Sequence, residues 1–175
     1  TVVSAFIWRY AFAIDSGFVN QWLNLTGFDW FGDRWSAIFV ICLSEIWKTT
    51  PFISLLLLAG LVQVPEDMQE AAKVDGATAW QRLWKGTLPN MKAAIMVAVL
   101  FRALDAYRIF DNIFVMTAGA QGTESISFLT YRQSIEQFQL GMGSALAVLL
   151  FLSVLLVAFL IVKMFKVDLA QARGE

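Results

Sequence analysis

Residues 70–77, Glu70-Ala71-Ala72-Lys73-Val74-Asp75-Gly76-Ala77, running on to Thr87-Leu88-Pro89, form a long polar stretch set between two strongly apolar ones. Pro65 has a fixed φ that suits the first position of a helix. Glu66, Asp67 and Glu70 stand near that start, where negative charge complements the helix dipole. Asp75-Gly76 reads as a turn, because glycine accepts positive φ without steric cost. A second short helix is expected from Ala77 to about Lys85, ended by Leu88-Pro89. The pattern predicts a small helix–turn–helix outside the bilayer, between two membrane spans.

The 175 residues are 58% hydrophobic and 15% charged, with a mean hydropathy of +0.64. A soluble domain is about 45–50% apolar. So few charges cannot cover this much apolar side chain, and lipid must form part of the solvent. The net charge of −1 argues neither for nor against nucleic acid, and no nucleic-acid partner is expected. Cys42, the single cysteine, cannot form an intrachain disulfide and reads as a small core residue rather than a reactive one. The absence of histidine removes His-based acid–base catalysis and the commonest metal ligand. No catalytic residue and no metal site is expected. Thr1 opens the chain without methionine, already in an apolar run and with no basic segment ahead of it. That reads as a chain lacking N-terminal helices rather than as a signal peptide.

The chain reads as one all-α polytopic membrane domain over residues 1–175. Spans are expected at about 1–13 (partial), 35–62, 91–116 and 143–165, since about 20 apolar residues cross a bilayer. Pro51 should kink the second of these. The polar loop occupies about 65–90. Residues 14–34, rich in tryptophan and phenylalanine, and 117–139, with a surface helix from about Ser125, form the loops on the opposite side. Orientation follows from the basic residues. The polar loop holds Lys73, Arg82, Lys85 and Lys92, and the C-terminal tail holds Lys163, Lys166 and Arg173; the opposite loops hold only Arg34 and Arg132. Positive charge stays inside, so the polar loop and the C-terminus are expected to be cytoplasmic in a plasma (inner) membrane protein.

Several charges fall within the apolar spans: Glu45 and Lys48 in the second, Arg102, Asp105, Arg108 and Asp111 in the third. Each costs at least about 2.5 kcal/mol at a helix centre and should face protein or water. At about 100° per residue, Glu45, Lys48, Thr49 and Phe52 share one face, and Asp105, Arg108, Ile109 and Asn112 another. Two readings stand side by side: a shared hydrated cavity, or local i,i+3 ion pairs joining Glu45 to Lys48 and Asp105 to Arg102 or Arg108.

The central stretch resembles the "EAA" loop of ABC-importer permeases, whose pattern is E-A-A, three residues, G, and about nine residues on to I-x-L-P. Glu70, Ala71, Ala72, Gly76, Leu88 and Pro89 match at that spacing, and Asp75 and Ala77 match its common D-G-A form. Gly86 stands where isoleucine is usual and Ala93 where a second proline is frequent. Gly17-Phe18-Val19-Asn20 is similar to a G-x-x-N of sugar-type permeases. The run Trp47-Lys48-Thr49-Thr50-Pro51-Phe52 and the run Phe110-Asp111-Asn112-Ile113-Phe114-Val115-Met116-Thr117 resemble the sugar branch, and Gly119-Ala120-Gln121 departs from its G-G-P. Nearly the whole chain is similar to maltose-type permeases, and within them to the actinobacterial trehalose branch. The resemblance implies a type I ABC importer permease core, part of a MetI-like helical bundle. It implies that Glu70, Ala71, Ala72, Asp75, Gly76, Leu88 and Pro89 form the element coupled to an ATPase. It also implies disaccharide-contacting positions at Lys48, Thr49, Phe52, Asp105, Arg108, Ile109 and Asn112. The partners implied are two cytoplasmic ATPase subunits, a second permease subunit, an extracellular sugar-binding protein, the disaccharide and membrane lipid.

No phosphate-binding G-x-x-x-x-G-K-[S/T] occurs. No cofactor is therefore expected in this chain, and ATP is expected on partner subunits. The function implied is translocation of a trehalose- or maltose-like disaccharide by alternating access. Competing readings are a permease for amino acids or oligopeptides, an intramembrane enzyme and a structural membrane scaffold. The sugar-branch runs speak against the first. The second lacks histidine and an evident facing carboxylate pair.

Overall fold

The computed structural model describes residues 1–165; Lys166 and Arg173, counted above in the basic tail, lie outside them. Among the described residues the chain is helical, with no strand. In order the helices are α1 (Val2–Ala11), α2 (Phe18–Trp22), α3 (Arg34–Val62), α4 (Glu66–Val74), α5 (Ala79–Arg82), α6 (Leu88–Asn90), α7 (Lys92–Tyr107), α8 (Asp111–Met116), α9 (Ile126–Tyr131) and α10 (Leu140–Phe165). A π-helical turn, Leu83–Thr87, joins α5 to α6, and another, Arg132–Glu136, follows α9. Helices α3 and α10 are long and apolar enough to cross a membrane. At a rise of about 1.5 Å per residue the 16 residues of α7 reach about 24 Å, short of the ~30 Å hydrocarbon core.

The described chain divides into two compact units, Thr1–Thr50 with Ala106–Ser153, and Pro51–Asp105 with residues 154–165. The division within α3 falls at Pro51. Proline has no N–H to give the carbonyl four residues back, yet the helix is continuous through it.

In the first unit α1 lies against α8, and the Arg9 guanidinium donates to the Val115 carbonyl at 2.6 Å. Ala5, Ala11, Phe12, Val40, Ile41, Ile113, Val115, Met116 and Phe128 form the apolar core. The segment before α3 is held by Asn20, almost wholly buried, whose Nδ2 donates to the Phe28 carbonyl at 2.9 Å and whose Oδ1 accepts from Trp30 Nε1 at 2.6 Å. Ser125 caps α9, accepting from the Phe128 N–H at 3.1 Å. In the second unit, Gly60 of α3 lies so close to α7 that an added Cβ would overlap the Ala94 methyl.

Two expectations are corrected. The third span is not one helix over 91–116. It breaks at Arg108–Phe110, between α7 and α8. The break is stabilised from outside the helix: Ser125 Oγ donates to the Ile109 carbonyl at 2.7 Å, and the Phe110 ring stacks on Phe114 and Phe128. Nor do Leu88 and Pro89 end the second helix of the polar loop. Helical backbone continues from α5 through the π-turn into α6 and across Pro89, although proline gives no N–H to the preceding turn. Asn90 Nδ2 donates to the Gly86 carbonyl at 2.7 Å.

Candidate functional site

Two places concentrate the polar residues singled out above. The first is the segment from Pro65 to Asn90, all within the second unit. Helix α4 carries Glu66 and Asp67 in its first turn and Lys73 in its last, each at the end its charge favours. It closes in a Schellman arrangement: the Ala77 N–H donates to the Ala72 carbonyl and the Gly76 N–H to the Lys73 carbonyl, both at 3.0 Å. Gly76 holds φ +76°, the left-handed conformation this closure demands. The next helix begins at once with a capping box. Thr78 Oγ1 accepts from the Gln81 N–H at 3.3 Å, and Gln81 Oε1 accepts from the Thr78 N–H at 2.9 Å.

The two arms are then tied by side chains. Gln69 Nε2 on α4 donates to Thr87 Oγ1 on the π-turn at 2.9 Å. Between the arms is a recess of about 420 Å³, bordered among others by Ala72, Asp75, Gly76, Arg82 and Lys85. Glu70, Ala71, Asp75, Gly76 and Pro89 are exposed, while Ala72 and Leu88 are half-buried. The expected helix–turn–helix is present, with its exposed side carrying Glu70, Ala71 and Asp75. Thr78-x-x-Gln81 is a capping-box signature readable in the sequence. The Gln69–Thr87 tie is tertiary and has no local signal.

The second place is a buried polar network in the first unit. Glu45 is 5% exposed and Asn112 0%. Glu45 Oε1 accepts from Lys48 Nζ and from Asn112 Nδ2, each at 2.7 Å. Asn112 Nδ2 also lies 3.3 Å from Ser44 Oγ, and Asn112 Oδ1 is buried and accepts no hydrogen bond among the described residues. The Thr49 hydroxyl donates to the Glu45 carbonyl at 2.7 Å, and Thr49 and Ile109 are half-buried. Arg108 is exposed. The Glu45–Lys48 ion pair foreseen at i,i+3 is therefore present, but the same carboxylate oxygen also reaches a different helix.

The remaining members of the expected sugar face belong to the second unit. Phe52 is 55% exposed and meets the Phe101 ring edge-on at 6.4 Å. Asp105 pairs with Arg102 at 2.9 Å, the i,i+3 ion pair that was the alternative reading. The common face drawn for Asp105, Arg108, Ile109 and Asn112 assumed a continuous helix. The break at Arg108–Phe110 puts Asp105 on α7 and Asn112 on α8, so that face does not exist as drawn. Sequence reasoning also left out Ser44, a serine inside an apolar run whose partner is 68 residues away.

Residues 1–169 match the family described as binding-protein-dependent transport system inner membrane component, and the chain belongs to that family. It is 48% identical over 167 residues to the trehalose transport system permease protein SugA of Mycobacterium tuberculosis, covering 94% of this chain and 53% of that one. It is 41% identical over 160 residues to the trehalose/maltose transport system permease protein MalF of Thermococcus litoralis, covering 89% and 54%. The chain thus spans about half the length of these relatives. A chain of the crystal structure of a bacterial ABC transporter involved in import of the acidic polysaccharide alginate superposes with a TM-score of 0.82 at 23% identity, over 94% of this chain and 60% of that one, and shares its fold.

Proposed function

We propose that this chain is part of the membrane permease subunit of an ATP-driven importer that moves a trehalose- or maltose-like disaccharide across the inner membrane. The observation that carries the proposal is the exposed loop closed at Gly76, in a chain 48% identical to a trehalose permease. In this reading the subunit performs no chemistry. One of two cytoplasmic ATPase subunits docks on the loop through Glu70, Ala71, Ala72, Asp75 and Gly76, with Leu88 and Pro89 carrying its second arm. Closure of the pair on ATP moves the loop, and the spans alternate access with a second permease subunit. An extracellular sugar-binding protein delivers the disaccharide, and the loop and C-terminus are cytoplasmic. Lys48, Thr49, Phe52, Asp105, Arg108, Ile109 and Asn112 are the proposed sugar contacts. Aromatic rings cover apolar C–H faces, while amide and charged groups bond hydroxyls.

The test is uptake of radiolabelled trehalose and maltose by the complete reconstituted complex. Uptake of at least one, dependent on ATP and on the binding protein, is expected. A complex that assembles and hydrolyses ATP but transports neither sugar would overturn the disaccharide assignment. Losing one hydrogen bond to a neutral sugar costs about 0.5–1.5 kcal/mol, and leaving a buried partner unsatisfied about 1–3 kcal/mol. Asn112→Ala should therefore lower uptake between several-fold and a hundred-fold.

A further inference from the structure

We infer that Glu45, which is not among the proposed sugar contacts, is the positioning residue that holds two of them, Lys48 and Asn112, in one arrangement. The inference rests on the disaccharide reading above. Its basis is geometric. A single carboxylate oxygen accepts from Lys48 Nζ and from Asn112 Nδ2, each at 2.7 Å. Lys48 lies on the same helix, α3, one turn on; Asn112 lies on α8, 67 residues away in sequence. Glu45 therefore fixes the separation of an ammonium and an amide that no backbone hydrogen bond relates.

Two further observations favour positioning over mere adhesion between helices. The first is cost. A buried ion pair can often be replaced by well-packed apolar side chains with no loss of stability, and an acidic group inside an apolar helix is expensive. Ala37, Val40 and Ile41 on the same helix are buried without polar help. The second is that the network is incomplete. Asn112 is wholly buried, its Nδ2 is engaged by Glu45 and lies near Ser44, and its Oδ1 accepts nothing among the described residues. A network selected for adhesion alone would close that acceptor, because a buried, unsatisfied carbonyl is destabilising. With Nδ2 held by Glu45, the amide is locked in one rotamer, and Oδ1 is the atom left to accept from a sugar hydroxyl when the site opens. Glu45 thereby decides which end of Asn112 faces the sugar.

The experiment compares Glu45→Gln, Asn112→Ala and the double variant in the full-length permease, assembled with its partner subunits in proteoliposomes. Three quantities are measured: recovery of the complex, uptake of trehalose and of maltose, and sugar moved per ATP hydrolysed. Glutamine keeps the shape and an acceptor oxygen but lacks the charge that holds Lys48. The expected result is normal recovery of the complex and a fall of roughly tenfold in sugar moved per ATP for each single variant. The double variant should be little worse than the poorer single one, where independent effects would multiply to about a hundredfold. A change in the trehalose-to-maltose ratio in Glu45→Gln also supports positioning, since loss of adhesion alone would scale both sugars alike. Multiplicative effects overturn the inference. So does a Glu45→Gln complex that fails to assemble, or one that transports normally while Asn112→Ala is impaired. If Asn112→Ala itself transports both sugars normally, the proposed sugar site is misplaced and the inference falls with it.

Discussion

At Gly76 the backbone alone sets the requirement. Its φ of +76° is one that L-residues avoid, and nothing lies within 4 Å of where a Cβ would stand. A substitution there cannot clash; it can only resist the left-handed conformation, at about 1–2 kcal/mol. That cost opposes the paired Ala77–Ala72 and Gly76–Lys73 hydrogen bonds that close α4. Gly76→Val should therefore leave membrane insertion intact and reduce ATPase retention in co-purification by roughly 5- to 30-fold. Gly76→Asn, which enters this region more readily, should sit between valine and wild type. Equal recovery of the ATPase with all three residues would show that docking does not depend on this turn. Gly76 was legible in the sequence because the turn is local: a glycine after an aspartate at the end of a helical run. Asn112 was legible only as a polar residue in an apolar stretch. Its partners Glu45 and Ser44 lie 67 and 68 residues away, and no local pattern reports them.

Elements were readable where composition and length decide them. Helices α3 and α10 are 29 and 26 residues long and predominantly apolar, enough to cross a bilayer. The α7–α8 break was not readable, because its stabilisation comes from elsewhere: Ser125 bonds the Ile109 carbonyl, and Phe128 and Tyr131 pack on Phe110. A helical wheel drawn across residues 105–112 presumed continuity that those contacts remove. The packing of α7 on α3 gives a prediction at this scale. Gly60 approaches Ala94 so closely that a methyl group has no room. Gly60→Ala should then destabilise by about 1–3 kcal/mol, the usual cost of overpacking. Ala94→Gly in that background should restore part of it by removing the opposing methyl, against a helix-propensity cost of about 1 kcal/mol. Thermal denaturation of the purified complex in detergent measures both. Independent, additive losses for the two substitutions would mean the helices are not in contact at this point.

For the molecule as a whole, the basic residues predict the arrangement across the membrane. Lys73, Arg82, Lys85 and Lys92 cluster in and just after the loop between α3 and α7, and Lys163 ends α10. The opposite segments hold Arg34 and Arg132, and Arg132 is paired with Glu124 at 2.9 Å. Lys and Arg near the ends of spans are retained on the cytoplasmic side, so the loop should face the cytoplasm, where an ATPase can reach it. Single cysteines test this in intact cells with a membrane-impermeant thiol reagent. Cys42, expected in the core, is instead exposed and must first be replaced, for instance by Cys42→Ala. Lys85→Cys is a suitable inner probe, since Lys85 is exposed on the π-turn. Ala120→Cys is the better outer probe than Gln121→Cys, because Gln121 has φ +56° and substitution there risks altering the turn. The expected outcome is rapid labelling at position 120 in intact cells and labelling at position 85 only after permeabilisation. Labelling at 85 in intact cells would put the loop outside. It would then overturn both the orientation and the assignment of the loop to an ATPase, because an external loop could not transmit a cytoplasmic stroke.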